Sequence, residues 1–399
     1  MRILSIAIEV PYPASSGARV HTYNIIRRLA KRHDVWFAGF KKATEGDAGI
    51  KHLEMFCEGV LTANFEEGRA LEHPLKLVRR LTRGIPPDFR FYESEELRDK
   101  IRRLVCKQRF DIVHIENTEM ALYLELMPEY LKDRTSWHLH DIDWLKFARI
   151  AKLEKKRKRK LRLWLHSFAV RRWIPHYAER FARCSTVSEE DRALLLKANP
   201  DLHVDVIPTG VDVEKNSLLS VKYEGPSLIF VGCMDYIPNI DAVLFFCKDI
   251  LPLIKRKIPN VKLMIVGPNP VEEVKDLQSD HICVTGMVDD VRDYYAQSMV
   301  SILPIRGGGG TRLKLLEAMA LGRPIVATTI ALEGRDVVAG EHVLIADTAE
   351  DFAYQTVRLI VDHRLKERLI SNGRTFVEEK YSYDSIVAKL EKIFAELMR

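Results

Sequence analysis

Short β-branched runs alternate with longer amphipathic stretches along almost the whole chain, and this alternation strongly constrains the fold. In the first half, segments such as 2–8 and 111–115 predict strands, and 72–82 and 144–181 predict helices. Ser188 followed by Asp191 resembles a capping box and predicts the start of another helix. The second half repeats the pattern, with strands predicted at 227–231 and 300–303. Because strands that alternate with helices form parallel sheets covered on both faces, we expect an α/β protein whose ligands bind at the carboxyl ends of the strands.

A Pro- and Gly-containing segment at 206–212 separates the two halves. The 399 residues are long enough for two hydrophobic cores of roughly 180 residues each. We therefore predict an amino-terminal domain over 1–205 and a second domain over 206–382. The carboxyl-terminal helical segment 383–399 is predicted to pack back onto the first domain.

The formal net charge of +6 is distributed unevenly. Residues 1–200 contain 39 Lys and Arg against 27 Asp and Glu, whereas residues 201–399 contain 23 against 29. The segment 152–183 alone holds 12 basic residues and two acidic ones, including six consecutive basic residues at 155–160. Because these cations surround a whole helix, they predict an anionic membrane surface or a lipid-diphosphate acceptor as partner.

The same segment has two alternative interpretations. Its apolar residues Leu161, Trp164, Leu165 and Phe168 have helical spacing, which is typical of a solvated helix that packs one apolar stripe into the core. Nucleic acid is the competing partner for the cations, but no nucleic-acid-binding motif accompanies them.

Composition indicates the compartment. The hydrophobic fraction of 47% excludes a disordered chain. The six cysteines include no CxxC pair and no metal-ligand spacing, as expected for buried side chains in a reducing cytosol. No segment approaches the roughly 20 apolar residues of a spanning helix. We expect a cytoplasmic protein, peripheral on the inner face of the plasma membrane.

A run of four glycines, 307–310, is the most informative motif. A predicted strand leads into it, and a helix then begins that presents Arg312, Lys314 and Glu317. Glycines let the backbone approach a ligand, the amides of a helix start attract anions, and the two cations suit a diphosphate. For four glycines alone, a flexible loop before an ordinary helix is the alternative.

The whole segment 304–324 resembles the donor-site signature of retaining glycosyltransferases of family 4, which have the GT-B fold. Further motifs resemble this family in the same order and cover nearly the whole chain: PYPASSG (11–17), FDIVH (110–114), HDID (140–143), VSE (187–189), PTGVD (208–212), VG (231–232) and EG (333–334). The motifs VGCMDYIPN (231–239) and IVG (265–267) resemble the branch that builds exopolysaccharides and surface glycans. The resemblance implies two doubly wound Rossmann-like domains that face a central cleft.

The resemblance also implies roles at the donor site. Glu317 matches the second Glu of the family's paired-glutamate motif and is expected to accept hydrogen bonds from ribose hydroxyls. Gly309 replaces the first Glu, so loop amides or another residue must recognise the donor sugar. The family's phosphate-binding Arg and Lys are absent from 233–239, which leaves Arg312 and Lys314 to neutralise the diphosphate, with Arg306 as a weaker candidate. The expected donor-binding residues are Gly286, Val288, Gly307, Gly308, Gly309, Gly310, Thr311, Arg312, Lys314, Leu315 and Glu317.

His140 is the third expected catalytic residue, beside Arg312 and Lys314. It matches the family histidine that contacts the transferred sugar; a packed or surface imidazole is the alternative. Asp141 and Asp143 suggest a metal, but no third ligand at a useful spacing supports one. We therefore predict no metal and no cofactor beyond the UDP- or GDP-sugar substrate.

The loop before the first helix is the predicted acceptor site, comprising Ser15, Ser16, Gly17, Arg19 and His21. Gly17 lets the backbone approach a ligand, and Arg19 and His21 are candidates for binding an acceptor phosphate. Ser16 is equally well explained as a simple helix cap.

These features predict a retaining hexosyltransferase that moves a sugar from a nucleotide-diphosphate sugar to the hydroxyl of a lipid-linked or glycan acceptor. Such an enzyme needs no carboxylate nucleophile, unlike a retaining hydrolase. A nucleotide-sugar 2-epimerase is the alternative on the same fold, although it would need further acid/base carboxylates and no acceptor loop. The other alternative is a basic nucleic-acid-binding or membrane-binding protein; the intact segment 304–324 argues against a nucleic-acid partner.

Overall fold

The computed structural model describes residues 1–14, 16–42, 45–65, 83–220, 222, 225–307 and 313–399. It divides into two compact units. Unit 1 comprises Met1–Ala148, Lys158–Thr209 and Tyr383–Arg399, and unit 2 comprises Arg149–Arg157 and Gly210–Ser382. The chain thus passes into unit 2 after Thr209, and its last 17 residues belong to unit 1.

Parallel strands and helices alternate in both units. The strands are β1 (Arg2–Glu9), β2 (Asp34–Lys42), β3 (Gly59–Phe65), β4 (Ile112–Glu116), β5 (Thr135–Leu139), β6 (Arg183–Thr186), β7 (Val204–Val206), β8 (Ser227–Val231), β9 (Lys262–Val266), β10 (Ile282–Gly286), β11 (Val300–Leu303), β12 (Ile325–Ala327) and β13 (Leu344–Ile345). The α-helices are α1 (Gly17–Leu29), α2 (Ala48–Glu54), α3 (Glu95–Lys107), α4 (Glu129–Lys132), α5 (Asp143–Leu153), α6 (Arg157–Ala178), α7 (Glu189–Ala198), α8 (Ile237–Phe245), α9 (Leu251–Lys255), α10 (Glu272–Lys275), α11 (Val291–Ala296), α12 (Leu313–Ala320), α13 (Thr329–Leu332), α14 (Ala349–Val361), α15 (His363–Lys380) and α16 (Tyr383–Leu397). Two 3₁₀ helices span Pro87–Tyr92 and Glu119–Leu126, and a π-helical turn spans Phe246–Ile250.

The sheet of unit 1 has the strand order β3-β2-β1-β4-β5-β6-β7, and all of its pairs are parallel. Successive side chains of β1 enter different cores, since Ile3 belongs to the core that contains Phe394 of α16, whereas Leu4 belongs to the core that contains Trp137 of β5. This alternation follows from the two-residue period of a strand, and it buries both faces of the sheet. Every residue of β4 and β5 is buried.

The sheet of unit 2 has the order β10-β9-β8-β11-β12-β13 and is also entirely parallel. A single core of buried apolar residues fills the unit. The predicted α/β class with two doubly wound sheets is therefore confirmed.

Several predicted elements differ in detail. The predicted helix 144–181 is two helices, α5 and α6, that are separated at 154–156. Ser188 caps α7, because its side chain accepts a hydrogen bond from the Asp191 amide, as its position predicted. A helix predicted at 72–82 lies outside the described residues.

Each sheet has one position at which the strand order reverses. In unit 1 this switch point lies between β1 and β4, and in unit 2 it lies between β8 and β11. The loops leaving the two neighbouring strands diverge there to opposite faces, which leaves a crevice at the carboxyl ends of the strands. These two positions are where ligand-binding side chains are expected.

Candidate functional site

The predicted glycine-rich loop is described only in part. Gly308, Gly309, Gly310, Thr311 and Arg312 lie outside the described residues. Gly307 is buried, and a Cβ atom there would lie 2.6 Å from Leu153 Cδ1. The absence of a side chain at Gly307 is therefore explained by packing within unit 2.

Lys314 lies at the switch point of unit 2, in the first turn of α12. Its Nζ is 2.8 Å from Asn239 Oδ1 and 4.3 Å from the centre of the Phe230 ring. A Cβ atom at Gly232 would lie 2.8 Å from that Nζ, so glycine at this strand end gives the ammonium its space. These contacts hold the cation at the carboxyl end of β8, next to β11.

Gly267 supports the same arrangement from the next strand. Its φ is +146°, and a Cβ atom there would lie 1.9 Å from the Gly232 carbonyl oxygen. Only glycine permits this backbone contact. The ends of β8 and β9 therefore approach each other closely beneath Lys314.

Glu317 follows Lys314 by three residues and lies on the same face of α12. Burial raises the pKa of its carboxyl group, and the charges of Lys215 and Lys314 partly oppose this rise. Its carboxylate forms no hydrogen bond with any residue in the described part of the chain. A role of Glu317 in binding a ligand stays a prediction. The effect of Lys215 on the pKa of Glu317 was not foreseen from the sequence.

The other predicted donor-site residues have different surroundings. Arg306 forms two hydrogen bonds with Asp241, at 3.0 and 2.7 Å, and its charge is therefore matched. The Leu315 side chain is fully buried in the core. Gly286 ends β10 with a φ of +71°, and Val288 packs against the core of unit 2. Roles in binding for these four residues stay predictions.

A second polar cluster lies at the switch point of unit 1. Glu116, the last residue of β4, is completely buried. Its Oε2 accepts a hydrogen bond from Thr22 at 2.6 Å and lies 2.9 Å from Nε2 of His140. Burial would raise the pKa of Glu116, but the hydrogen bond and charge of His140 lower it to about 2. His140 is thus held at the strand end by a buried carboxylate whose pKa lies well below its usual range.

Two further histidines surround His140. The ring centres of His21 and His138 are 5.0 and 4.8 Å from that of His140, and 5.1 Å from each other. Both rings are buried. His21 was predicted to contact the acceptor, and it lies instead next to the predicted sugar-contacting histidine; contact with the acceptor stays a prediction.

Arg19 is buried and paired with two carboxylates. Its guanidinium lies 2.6 Å from Glu9 and 2.7 Å from Glu45. Burial alone would lower the pKa of Arg19, but the two carboxylates raise it. An acceptor phosphate would have to compete with them. Ser16 caps α1 by accepting a hydrogen bond from the Arg19 amide at 3.3 Å, and Ser15 lies outside the described residues.

Asp141 and Asp143 have a cation as their partner. Lys146 lies 2.8 Å from Asp141 and also pairs with Asp143. Burial would lower the pKa of Lys146, but the two carboxylates raise it well above its usual range. Burial, followed by the charge of Asp143, raises the pKa of nearby Glu119 to about 7. Sequence reasoning identified the two acids but missed Lys146 and Glu119.

The four apolar residues that were predicted to form a stripe on α6 do not enter the core. Leu161, Trp164, Leu165 and Phe168 are 58%, 57%, 52% and 55% exposed. Every residue from Lys155 to Arg162 is exposed. The core-packed stripe that helical spacing allowed is therefore wrong, because the buried face of α6 is formed by other residues, such as Val170 and Ile174. No helix in the described part of the chain is both long and apolar enough to cross a membrane.

Comparison with known families agrees with this architecture. Residues 15–215, half of the chain, match the model described as Glycosyltransferase Family 4, and residues 225–362 match the model described as Glycosyl transferases group 1. The chain therefore belongs to Glycosyltransferase Family 4. It is a glycosyltransferase, and its two parallel-sheet units are the Rossmann-like domains of the GT-B fold.

Individual relatives are distant. An uncharacterised 44.6 kDa protein of the cps region of Klebsiella pneumoniae is 19% identical over 98% of this chain and 99% of its own length. The phosphatidyl-myo-inositol mannosyltransferase of Mycobacterium leprae is 28% identical over 47% of this chain; the match spans 52%, about half, of that enzyme. A crystal structure of Anabaena HepE with UDP and glucose has a TM-score of 0.64 at 15% identity and covers 99% of this chain and 100% of its own.

The buried Glu116 carboxylate predicts a specific pH dependence. Its pKa falls from 4.5 in the unfolded chain to about 2 in the folded one, so its contribution is complete above pH 4.5 and is lost as the pH falls toward 2. Because one pKa unit corresponds to about 1.36 kcal/mol, protonation of Glu116 should lower the free energy of unfolding by about 2 kcal/mol between pH 6 and pH 3.

Urea unfolding of the wild type and the Glu116→Gln variant across that pH range measures the difference. The variant lacks the titrating group and should show a correspondingly flatter profile. Equal slopes in the two proteins would contradict an ionised, hydrogen-bonded Glu116.

Proposed function

We propose that this glycosyltransferase moves a hexosyl unit from a nucleotide-diphosphate sugar to a hydroxyl acceptor, with retention of the anomeric configuration. The observation that carries this proposal is the pairing of Lys314 and Glu317 on one face of α12, at the switch point of unit 2. A fixed ammonium suits a diphosphate, and a carboxylate with two available oxygens suits the vicinal diol of a ribose. That HepE was crystallised with UDP supports a nucleotide of this kind as the donor's leaving group.

Lys314 would act mainly in the transition state. As the bond between the anomeric carbon and the diphosphate oxygen breaks, negative charge grows on the leaving diphosphate. A preorganised ammonium at that position stabilises this charge without reorganising during the reaction. The hydrogen bond to Asn239 and the Phe230 ring beneath it hold the ammonium in place.

Retention needs no enzyme nucleophile in this scheme. The acceptor oxygen attacks the anomeric carbon on the face that the diphosphate leaves, and its proton passes to a diphosphate oxygen. His140 would contact the transferred sugar, as the family resemblance implies. The Glu116 carboxylate fixes the orientation of the His140 ring through Nε2, which leaves Nδ1 for other contacts. The scheme calls for no metal and no further cofactor.

The proposed role of Lys314 is tested by nucleotide binding. Lys314→Ala should weaken binding of UDP or GDP, whichever binds the wild type, by about 10- to 100-fold, because a charge-assisted contact contributes about 1.5–3 kcal/mol. Lys257→Ala, an exposed lysine of the same unit, is the matched control and should bind as the wild type does. Isothermal titration calorimetry measures both.

Glu317 is tested with the same assay and a modified ligand. The wild type should discriminate against the 2′,3′-dideoxy nucleotide, and Glu317→Gln should lose most of that discrimination while retaining affinity for the diphosphate. If neither Lys314→Ala nor Glu317→Gln changes nucleotide binding, the donor site lies elsewhere.

Retention is tested by slow hydrolysis of the donor, which requires no acceptor. UDP-glucose, UDP-N-acetylglucosamine and GDP-mannose are first screened by thermal shift, since a ligand of the native state raises the melting temperature. Proton NMR of the sugar first released from the bound donor should show the anomer present in that donor. Initial release of the opposite anomer would contradict retention, and release of a 2-epimer would favour an epimerase.

We further propose that the acceptor is a lipid-linked or surface-polysaccharide precursor and that α6 binds the anionic inner face of the plasma membrane, which implies a cytoplasmic, peripheral enzyme. The support is the combination, on the one helix α6, of exposed cations between Arg157 and Arg162 with the exposed Leu161, Trp164, Leu165 and Phe168. A helix that carries both cations and aromatic residues on its surface suits a membrane interface. The printed name of the mycobacterial relative includes a lipid, phosphatidyl-myo-inositol, which is consistent with a lipid acceptor.

Binding to lipid vesicles tests this surface. Replacing Lys158, Arg159 and Lys160 by Gln should weaken binding to phosphatidylglycerol-containing vesicles about 100-fold, since each cation contributes about 1 kcal/mol. Trp164→Ala with Phe168→Ala should also weaken binding, whereas Tyr354→Ala, an equally exposed aromatic of unit 2, should not. Sedimentation with vesicles measures each variant, and undiminished binding of both α6 variants, or equal binding to neutral phosphatidylcholine vesicles, would contradict the proposal.

A further inference from the structure

Three histidines of unit 1 converge on a small volume, although they are far apart in sequence. His21 comes from α1, His138 from β5, and His140 follows the end of β5. One ring nitrogen from each lies within 4.8 Å of those from the other two. We call these residues the imidazole cluster.

One ring nitrogen of His138 is buried without a hydrogen-bond partner among the described residues. Its Nδ1 is 2.9 Å from the Ser185 hydroxyl oxygen. Its Nε2 is completely buried and has no hydrogen-bond partner in the described part of the chain. An Nδ1–H that donates to the Ser185 hydroxyl leaves the lone pair of the ring on Nε2.

Glu116 orients His140 in a way that suits coordination. The Nε2 of His140 is 2.9 Å from the Glu116 carboxylate, so its Nδ1 is the nitrogen available to an ion. A carboxylate that accepts a hydrogen bond from one ring nitrogen fixes the tautomer and makes the other nitrogen more basic. Histidines that ligate metals commonly have such a partner.

We propose that the imidazole cluster is a binding site for a divalent transition-metal ion of the zinc type. Three imidazole nitrogens select zinc, copper or nickel over magnesium and calcium, which prefer oxygen ligands. With bonds of about 2.0–2.1 Å, zinc would draw the three nitrogens to roughly 3.4 Å from one another. Three protein ligands leave the fourth tetrahedral position open to water or another exchangeable ligand.

The ion would also satisfy the buried nitrogen of His138. A buried polar atom without a partner is unfavourable, and such atoms are rare in native proteins. Coordination through Nε2 of His138 supplies that partner and leaves its Nδ1 to the Ser185 hydroxyl. The site differs from the carboxylates Asp141 and Asp143, which already have Lys146 as their partner.

A metal ion in the imidazole cluster would affect catalysis, and this expectation rests on the proposed function. If His140 contacts the transferred sugar, an ion that occupies its Nδ1 competes with that contact. Zinc at saturating concentration should therefore reduce turnover of the donor, and a chelator should restore it. Metal binding itself does not depend on this role.

The test uses the full chain, freed of metal by a chelator and then titrated with Zn²⁺ by calorimetry. One ion should bind per chain. His138→Gln and His21→Asn should each weaken binding at least about 10- to 100-fold, the range seen even for residues that only support a ligand. His176→Gln, at an exposed histidine of α6, is the matched control and should bind as the wild type does. Equal melting temperatures without metal confirm that the variants are folded.

Cobalt provides an independent readout of the ligands. Co²⁺ in the wild type should show visible absorption typical of tetrahedral nitrogen coordination, without a thiolate charge-transfer band, and the two cluster variants should lose it. A thiolate band would place the ion on cysteine. That result, or unchanged zinc affinity in both variants, would overturn the proposed site. If zinc binds as proposed but leaves donor turnover unchanged, the metal site stands and the sugar-contact role of His140 is wrong.

Discussion

The reversal of strand order in each parallel sheet determines where the candidate site residues of this protein come together. Elsewhere along the sheet, successive loops cross the same edge in one direction and pack against each other. At the switch point, two neighbouring strands send their loops to opposite faces, so polar side chains meet there without filling the space. Glu116 and His140 lie at this position in unit 1, and Lys314 and Asn239 lie at it in unit 2.

The charges near these positions fall into two groups. Arg19 and Lys146 each pair with two carboxylates, so their charges are matched within the protein and hold loops and helix starts together. Lys314 contacts the Asn239 amide and the Phe230 ring, and the Glu317 carboxylate has no hydrogen bond or ion pair with any described residue. The Glu317 carboxylate is therefore better suited to a ligand than the paired carboxylates, because ligand binding there need not first break an ion pair.

The first half of α6 keeps apolar side chains exposed to solvent. Four large apolar side chains remain exposed among cations, although burying each would contribute about 1.5–3 kcal/mol. The second half of the helix does pack into unit 1, through residues such as Val170 and Ile174. The first half therefore presents an apolar and cationic surface on a helix whose position is fixed, as an interfacial helix requires.

The helix that carries the donor-site candidates, α12, was predicted from the sequence. Lys314 and Glu317 were identified by their position after a strand and a glycine run, and both lie on α12 at the predicted edge of the sheet. Gly308 to Arg312 remain predictions. In unit 1, His140 was identified, but Glu116 was missed because a single Glu at the end of an apolar strand looks like a surface residue until its burial is known.

The sequence alone determined the α/β class, the two parallel sheets and the helix that carries the donor-site candidates. These features follow from local periods of two and 3.6 residues and from a contiguous motif, so they can be read within short windows. Only the tertiary structure decided the partners of Arg19, the meeting of His21 with His138 and His140, and the exposed stripe of α6. These depend on contacts between distant segments, and helical spacing fits a buried stripe and an exposed one equally well.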